Sequence, residues 1–301
     1  TVSGLTQGQN TPGSDPVHRD YFSILCLVRD SQGGQIGEDI KAVDSDGHVS
    51  FDLSDYLRAR FASWQLPRFE FPELSGNIRN RGWDYLLRYR VSMAETFDGE
   101  IKGLFSDGWK YCLAGGLSRE LMTSLNENTQ DYFAIEENKR RFLSWQPLTK
   151  KSRSGVKEKL FFLFQDNPTA AQYRLAVIAN FTDGTHKMIN ASPLAVFPAF
   201  TVVEFKVGYD HLELVNAQAG KTILSWEVFL LDGNDDFISE RRIYLNDTRV
   251  IENEKVFFYR NSFSAYDTFR FTGKSELNLD YDRLGGVALK QERYSFFNAP
   301  S

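Results

Sequence analysis

Short runs of apolar residues, separated by turn residues, recur along most of this chain. Residues 254–273, EKVFFYRNSFSAYDTFRFTG, are the clearest case, because two aromatic-rich segments flank a polar stretch of Asn and Ser. That composition is typical of two strands joined by a turn. Short strands with turn signals every 8–12 residues or so are typical of β-sandwiches. The pattern therefore predicts an all-β fold.

The same periodicity predicts the remaining elements. Alternating residues at 80–97 predict a long antiparallel strand, and Asp183-Gly184 predicts the turn of a hairpin. Residues 48–57, HVSFDLSDYL, are expected to hold a strand and then a short helical or extended cap, and residues 117–125 allow a short helix. Further strands are predicted at residues 21–28, 36–43, 109–113, 142–148, 160–164, 173–181, 200–207, 223–231 and 240–245.

The length of 301 residues favours two domains, because single hydrophobic cores stop growing near roughly 250 residues. The segment TKKSRSGVKEK, residues 149–159, is basic and rich in small residues, a composition typical of an interdomain linker. We therefore predict two tandem β-sandwich domains of the immunoglobulin or fibronectin-III type, with short helical segments. The predicted organisation is a flexible arm at 1–16, a first sandwich at 17–150, a linker at 151–157, an immunoglobulin-like sandwich at 158–273 and a C-terminal extension at 274–301.

The net charge of −5 is spread over segments of mixed sign, without the basic field that nucleic acid requires. No apolar run approaches the roughly 20 residues that cross a bilayer, and the first residues lack the pattern of a signal peptide. We therefore expect no nucleic-acid partner, no membrane insertion and no signal peptide in this chain.

Residues with metal or redox chemistry are sparse. Cys26 and Cys112 lie in apolar runs and are interpreted as small buried residues, with their pairing left open. The four histidines lack metal-ligand spacing. The acidic loops at residues 44–46 and 232–236 offer oxygens for calcium but lack the EF-hand glycine and glutamate, so they are interpreted as turns. No cofactor and no metal site is expected.

Catalysis is not expected either. Glu95, Glu100, Glu136 and Glu137 provide carboxylates for a glycosidase, but the sequence does not place two of them at the required separation of roughly 5–10 Å. Ser118 lacks the G-x-S-x-G context and is interpreted as a helix N-cap. The five tryptophans either fill the cores or stack on sugar rings. Candidate interaction residues are Trp64, Trp83, Tyr259, Asn261, Tyr266 and Asp267.

Four segments carry a resemblance to known proteins. They are KYCLAGGLSRE (110–120), FLSWQPLTK (142–150), EKLFFLF (158–164) and YRNSFSAYDTFRFTGKSE (259–276). In this order they resemble large tail-associated proteins of phages and prophages from Bacteroides-type gut bacteria. That group tends to carry a Leu-Gly-Gly turn where this chain has residues 263–265. It also continues beyond the hairpin, so residues 274–301 are expected to begin a further region.

The resemblance implies a non-enzymatic structural module of a tail-like assembly in the virion. Such a module would mediate contacts with other tail proteins, with itself or with the host surface. The alternative is a carbohydrate-binding or surface-adhesion module at the cell surface, with a glycan ligand. Exposed tryptophans beside a groove would favour this alternative. A third class, a glycoside-processing enzyme, needs two facing carboxyl groups.

Overall fold

The computed structural model describes residues 23–63, 77–82, 85–97, 100–115, 134–136, 139–165, 172–217, 220–249, 254–272, 275–284 and 287–296. Within these ranges the chain forms nineteen β-strands and one α-helix. The predicted all-β class is confirmed at this level. The predicted flexible arm at residues 1–16 lies outside the described ranges.

The chain divides into two compact units, one of residues 1–73 and 81–114 and the other of residues 74–80 and 115–301. The strand β3 (Ile78–Gly82) contains residues of both units. The other elements of the first unit are β1 (Ser23–Asp30), β2 (Gln35–Ala42), α1 (Ser54–Ser63), β4 (Leu86–Phe97), β5 (Glu100–Ser106) and β6 (Lys110–Leu113).

The first unit is built on a five-stranded sheet in the order β2-β1-β4-β5, with β6 also paired to β4. β4 is the long antiparallel strand that the alternation predicts. Cys26, Val28 and Val91 lie on the apolar face of the sheet, which Phe51 and α1 cover. The described part of this unit is thus a sheet covered by a helix, and the first of the two predicted sandwiches stays a prediction. Cys26 and Cys112 are unpaired thiols, and burial raises the pKa of Cys26 to about 11.

The second unit contains the remaining strands. They are β7 (Ala134–Glu136), β8 (Lys139–Arg140), β9 (Thr149–Ser152), β10 (Lys159–Phe164), β11 (Tyr173–Phe181), β12 (His186–Asn190), β13 (Thr201–Lys206), β14 (Ile223–Asp232), β15 (Arg242–Asn246), β16 (Lys255–Arg260), β17 (Tyr266–Phe271), β18 (Ser275–Leu284) and β19 (Val287–Phe296). β18 and β19 pair as an antiparallel hairpin within the predicted C-terminal extension.

Two sheets of this unit, β10-β13-β3 and β12-β11-β14-β15-β9, contribute alternate residues to one apolar core. The indole of Trp226 is completely buried there and stacks on Tyr244, with ring centroids 5.3 Å apart. Burying a large apolar side chain stabilises a fold by about 1.5–3 kcal/mol. Val177 and Val228, opposite one another on β11 and β14, are both fully buried in this core. The second unit thus holds the larger apolar core.

The predicted boundary differs from the structure. Residues 149–152, at the start of the linker-like segment 149–159, form β9, which pairs in parallel with β15. The compact units separate instead between Ala114 and Gly115. The composition of this segment is misleading because Lys150 and Glu158 are partners in the interior, as shown below. The strand predicted at residues 142–148 is irregular chain, although Leu143 N donates to Phe161 O at 2.8 Å.

Candidate functional site

The aromatic hairpin predicted at residues 254–273 is confirmed as β16 and β17, with Tyr259 paired to Asp267. The turn begins at Asn261, whose backbone N–H donates to Ala265 O at 2.9 Å. Asn261 Oδ1 accepts from the backbone N–H of Phe263 at 2.9 Å. Ser264 has a φ of 59°, in the left-handed region that glycine adopts without strain. Local turn chemistry therefore forms the tip, at the cost of one strained residue.

Asp267 is the centre of a buried polar cluster at the hairpin tip. Its carboxylate, with the residue only 1% exposed, accepts from Ser144 Oγ at 2.6 Å and from the backbone N–H of Trp145 at 3.2 Å. Asn261 Nδ2 donates to the same carboxylate at 3.0 Å and to Leu143 O at 2.9 Å. Buried carboxylates require such donors, because an unpaired charge in the interior is strongly destabilising. The cluster fastens the hairpin to residues 143–145.

Three sequence-predicted residues therefore meet in one place, since Tyr259 OH also lies 3.5 Å from Asp267. Asn261 and Asp267 are buried, whereas Tyr259 is 43% exposed. Tyr266 is half-buried, with its ring centroid 6.4 Å from that of Phe161. Trp64 and Trp83 lie outside the described residues. Asn261 and Asp267 thus have structural contacts rather than exposed surfaces for a partner.

Lys150 and Glu158 form a second buried cluster midway along the hairpin. Lys150 Nζ donates to Glu158 Oε2 at 2.9 Å, to Gln146 Oε1 at 2.7 Å and to Thr268 O at 2.9 Å. Ser152 Oγ donates to the other oxygen of Glu158 at 3.0 Å. Burial lowers the pKa of Lys150, and the charge of Glu158 opposes that shift. All three donors of the ammonium group are used, so this cluster joins residues 146–158 to Thr268 of β17.

The base of the hairpin carries an ion-pair network. Arg270 contacts Glu254 and also lies 3.5 Å from Asp247, and Arg153 pairs with the same glutamate. Arg249 donates to Asp247 from Nε at 2.8 Å and from its terminal nitrogen at 2.9 Å. The hydrogen bonds from Arg249 hold the pKa of Asp247 well below its usual range. Three guanidinium groups and two carboxylates thus meet where the hairpin begins.

A surface pocket of about 670 Å³ lies beside residues 144–148. Its lining is cationic. We define the Trp145 pocket by Trp145 and by the charged and aromatic residues that line it with this indole. They are Lys139, Arg141, Phe237, Glu240, Arg241 and Arg242.

The charged groups of the Trp145 pocket differ in burial. Arg242 is 5% exposed, and its Nε donates to Glu240 Oε1 at 2.7 Å, so these two charges neutralise each other. Arg241 has a side chain that is 49% exposed, and its guanidinium lies 4.4 Å from the ring centroid of Phe237. It also lies 3.7 Å from Glu227. Such stacking over an aromatic face fixes the guanidinium in place.

Trp145 joins the pocket to the hairpin tip. Its ring stacks on Phe263 at a centroid distance of 4.7 Å and an interplanar angle of 23°, and its Nε1 donates to Ser262 Oγ. The residue is nevertheless 41% exposed. A large aromatic surface is therefore held rigidly at the edge of a cationic pocket.

The other described tryptophans have different surroundings. Trp226 fills the core, which is one of the two roles that the sequence leaves open for tryptophans. Trp109 of the first unit is 39% exposed, and the guanidinium groups of Arg88 and Arg90 lie 4.6 Å and 5.2 Å from its ring centroid. Trp145 is thus the described tryptophan of the second unit that is both exposed and beside a pocket.

The acidic loops have the geometry of turns. Asp44 Oδ1 accepts from the backbone N–H of Asp46 and of His48 at 3.0 Å and 2.7 Å. Asp232 Oδ1 accepts from the backbone N–H of Asn234 and of Asp236, both at 2.9 Å. Such contacts define Asx turns. Across the described ranges, no group of three or more His, Cys, Asp and Glu residues could hold a metal ion.

Sequence reasoning did not single out Trp145 among the five tryptophans, and it missed the basic residues around it. Trp145 lies in a segment predicted as a closing strand, although Pro147 argues against a central strand there. The pairs Arg140-Arg141 and Arg241-Arg242 are visible in the sequence, but about a hundred positions separate them, as in the 96-residue span of the contact between Arg242 and Gln146. Only folding brings the basic residues to one pocket.

The described residues form a β-rich structure, with a hairpin fastened by buried polar contacts and a pocket lined by basic and aromatic residues. Among the residues that the structure describes, no helix has the length and apolar character needed to span a membrane. Comparison with models of known protein families gives no match, and comparison with curated proteins gives none either.

Proposed function

We propose that this chain is a non-enzymatic structural module of a phage or prophage tail-like assembly, acting in protein-protein assembly or host-surface contact. The clusters around Asp267 and Lys150 support a scaffold, because their hydrogen-bonding groups serve internal contacts. The shared core of two sheets in the second unit supports an immunoglobulin-like sandwich as its architecture. Placement in a tail particle follows from the sequence resemblance and is part of the proposal.

The edge strand β5 carries the assembly proposal. It stands at the end of the path β2-β1-β4-β5, and all seven of its residues are exposed. Ile101, Leu104 and Phe105 are 61%, 58% and 57% exposed. An edge strand offers backbone hydrogen-bonding groups that give an added strand its affinity, and the side chains along the edge give the contact its specificity. We therefore propose β5 as the surface that meets a neighbouring subunit.

Particle incorporation tests this function. Tail particles purified from the bacterium that encodes the chain are expected to contain it, as measured by quantitative mass spectrometry. The double variant Ile101→Asp/Phe105→Asp should reduce incorporation at least about tenfold, because two buried charges at an interface oppose association. Absence of the wild-type chain from particles would overturn the assignment.

A matched control separates assembly from solubility. Val215→Asp adds a charge at an apolar residue of the second unit that is 68% exposed, and incorporation should remain at the wild-type level. Equal losses in the control and in the β5 variant would count against β5 as the contact surface.

The second candidate function is carbohydrate binding or surface adhesion. It is favoured by the exposed indole of Trp145 beside a pocket, since aromatic faces stack on the apolar faces of sugar rings. Glycan binding by the purified full chain, in the absence of particles, is the measurement that separates this candidate from assembly through β5.

A further inference from the structure

We propose that one face of the first unit's sheet binds an extended acidic segment of a neighbouring protein. We call this surface the arginine face and define it by Arg29 of β1, Arg88 and Arg90 of β4, and Trp109, just before β6. The inference deepens the proposed assembly function, on which the nature of the partner rests. It is separate from the Trp145 pocket, whose lining belongs to the second unit.

The strand register places these side chains on one side of the sheet. Arg88 and Arg90 are two positions apart on β4, so they lie opposite the apolar face that contains Val91. Arg90 is the direct partner of Arg29 on β1. Trp109 lies on the same side, because its ring centroid is 4.6 Å from the guanidinium of Arg88 and 5.2 Å from that of Arg90. Three guanidinium groups and one indole therefore share this surface.

The three arginines form no ion pair with a carboxylate of the residues that the structure describes. The ion pairs of the first unit use other cations, namely Lys41, Arg58, Arg60, Lys102 and Lys110. The Nε atoms of Arg88 and Arg90 are buried without a hydrogen-bond partner. Stacking on an indole fixes a guanidinium but leaves its positive charge in place. Buried polar atoms without partners are uncommon, so this arrangement indicates a missing anionic group.

The stability of the sheet does not explain this arrangement. Side chains directly opposite on antiparallel strands lie about 5 Å apart, and like charges at such positions are destabilising. Arg29 and Arg90 occupy such positions. Glu38 of β2 lies on the same face, opposite Leu27, and its Oε2 accepts from Gln35 Nε2 at 2.7 Å. An anionic partner bound beside the two arginines would offset their repulsion.

The spacing of the guanidinium groups favours an extended peptide. Alternate residues of a strand recur about every 6.8 Å, which sets the separation of Arg88 and Arg90 along β4. The side chains of an extended acidic segment repeat with the same period, so two carboxylates separated by one residue match both arginines. Each guanidinium holds a carboxylate in a fork geometry. Arg29 adds a third position on the neighbouring strand, and a single small anion would contact only part of this set.

Trp109 prepares the surface for binding. Its ring contacts both guanidinium groups of β4, so part of the entropic cost of ordering two arginine side chains is met before a ligand binds. The indole is 39% exposed and offers an apolar surface beside the charges. Tryptophan and arginine are enriched at the hot spots of protein interfaces. A nucleic acid would require a more extended basic field than this chain of net charge −5 provides.

Binding of fluorescently labelled heptapeptides to the full chain, measured by anisotropy, tests the proposal. A capped peptide of alternating threonine and glutamate is expected to bind, because its three glutamates share one side of an extended chain. A peptide of the same composition with glutamate at every third position should bind at least about tenfold more weakly, and so should a peptide of alternating threonine and glutamine.

Three results of this experiment would overturn the proposal. Absence of binding by the alternating peptide would remove the site. Equal binding of the two glutamate peptides would show attraction by charge alone, without recognition of an extended strand. Tighter binding of trigalacturonate, a saccharide that also carries three carboxylates, would assign the face to acidic glycans instead.

Variants locate the binding. Arg88→Gln and Trp109→Ala should each lower the affinity for the alternating peptide at least about tenfold, and Trp109→Phe should retain part of it. Arg58→Gln is the matched control, because Arg58 is an arginine of the same unit with a 79% exposed side chain, and its affinity should equal that of the wild type. Circular dichroism should verify that each variant is folded. An unchanged affinity in folded Arg88→Gln would overturn the assignment to this face.

Arg29→Gln separates binding from a structural role. This variant should bind the alternating peptide more weakly, yet its thermal midpoint of unfolding should equal or exceed that of the wild type, because repulsion from Arg90 is removed. A lower midpoint together with an unchanged affinity would show that Arg29 serves the fold and would remove it from the arginine face.

The outcomes also separate this proposal from the assembly function. If the alternating peptide does not bind while tail particles contain the chain, only the arginine face is refuted. If the peptide binds while the wild-type chain is absent from particles, only the assembly function is refuted.

Discussion

The two ends of the β16–β17 hairpin are fastened in different ways. At the tip, the carboxylate of Asp267 accepts hydrogen bonds from a hydroxyl, an amide and a backbone N–H, all of them neutral donors. At the base, Asp247 and Glu254 meet the guanidinium groups of Arg153, Arg249 and Arg270. The tip therefore depends on the fit of short polar groups, whereas the base depends on charge.

Because of this difference, the two ends of the hairpin should respond to different changes. Hydrogen bonds to a buried carboxylate are lost when one atom is removed or displaced, because the unpaired groups then carry their full desolvation cost. Ion pairs between arginines and carboxylates change with the protonation of the carboxylates. We expect substitutions that change the size or shape of a side chain to destabilise the tip, and changes of pH to alter the stability of the base.

The largest effect is expected at Asp267. Asp267→Ala leaves Ser144 Oγ, Asn261 Nδ2 and the backbone N–H of Trp145 without their acceptor, and should destabilise the second unit by about 3 kcal/mol. Hydrogen exchange of the β16 and β17 amides measures this loss locally. Asp236→Ala, at an exposed aspartate of the same unit, is the control and should change stability by under about 0.5 kcal/mol. If the hairpin amides are equally protected from exchange in the two variants, the stability of the tip does not depend on the contacts of Asp267.

Gly115 tests the fit at the tip more directly. A Cβ added there would lie 2.1 Å from Ser262 O, so Gly115→Ala must displace backbone and should cost about 2 kcal/mol. Gly233→Ala is the matched control, since its nearest contact would be an ordinary 3.8 Å from Gln172 O. Urea unfolding of both variants measures the difference. Similar urea midpoints for the two variants would show that the turn accommodates the added Cβ without loss of stability.

The base should respond to pH. The folded-state pKa of Asp247 is depressed below the roughly 3.9 of an unfolded aspartate, so its stabilisation is present above about pH 4 and is lost as the pH falls toward the folded pKa. Arg249→Gln removes the main cause and should flatten the fall in the free energy of unfolding between about pH 4 and pH 2.

Arg58→Gln, again at an exposed arginine, is the control for this pH profile. Its profile should keep the slope of the wild type. A wild-type slope in Arg249→Gln as well would show that the base does not depend on the charge of Asp247.

The smallest effect is expected from the strained turn residue. Ser264→Gly relieves a φ of 59° and should stabilise the chain by up to about 1 kcal/mol, since glycine adopts this region without a steric penalty. Ser264→Ala retains the strain and should not be stabilising. Thermal unfolding compares the two variants, and a gain in the alanine variant would point to the hydroxyl rather than to the backbone.

Local pattern was sufficient to predict much of the second unit. The strands β10, β11 and β14 and the aromatic hairpin follow from apolar runs bounded by turn residues, because strand formation and turn chemistry act over a few residues. The all-β class followed for the same reason. The helix-covered sheet of the first unit did not, because residues 48–57 indicate only a short helical or extended cap and do not show what it covers.

The candidate site shows the limit of such reasoning. Lys150 and Glu158 make their segment resemble a solvent-exposed linker, since composition does not reveal that the two charges neutralise each other in the interior. Asn261 and Asp267 were predicted as interaction residues, and the structure buries both. The cations of the Trp145 pocket were not predicted at all.

The sequence by itself determined where many of the described strands and turns form, because those preferences reside in neighbouring residues and in the two-residue period of a strand. Only the tertiary structure decided which polar groups became partners. Ser144 and Asp267 meet across 123 positions of chain, and no local rule selects a contact at that distance. The packing of the hairpin against residues 142–150 created both the buried carboxylate cluster and the exposed face of Trp145, so interior and pocket have one physical origin.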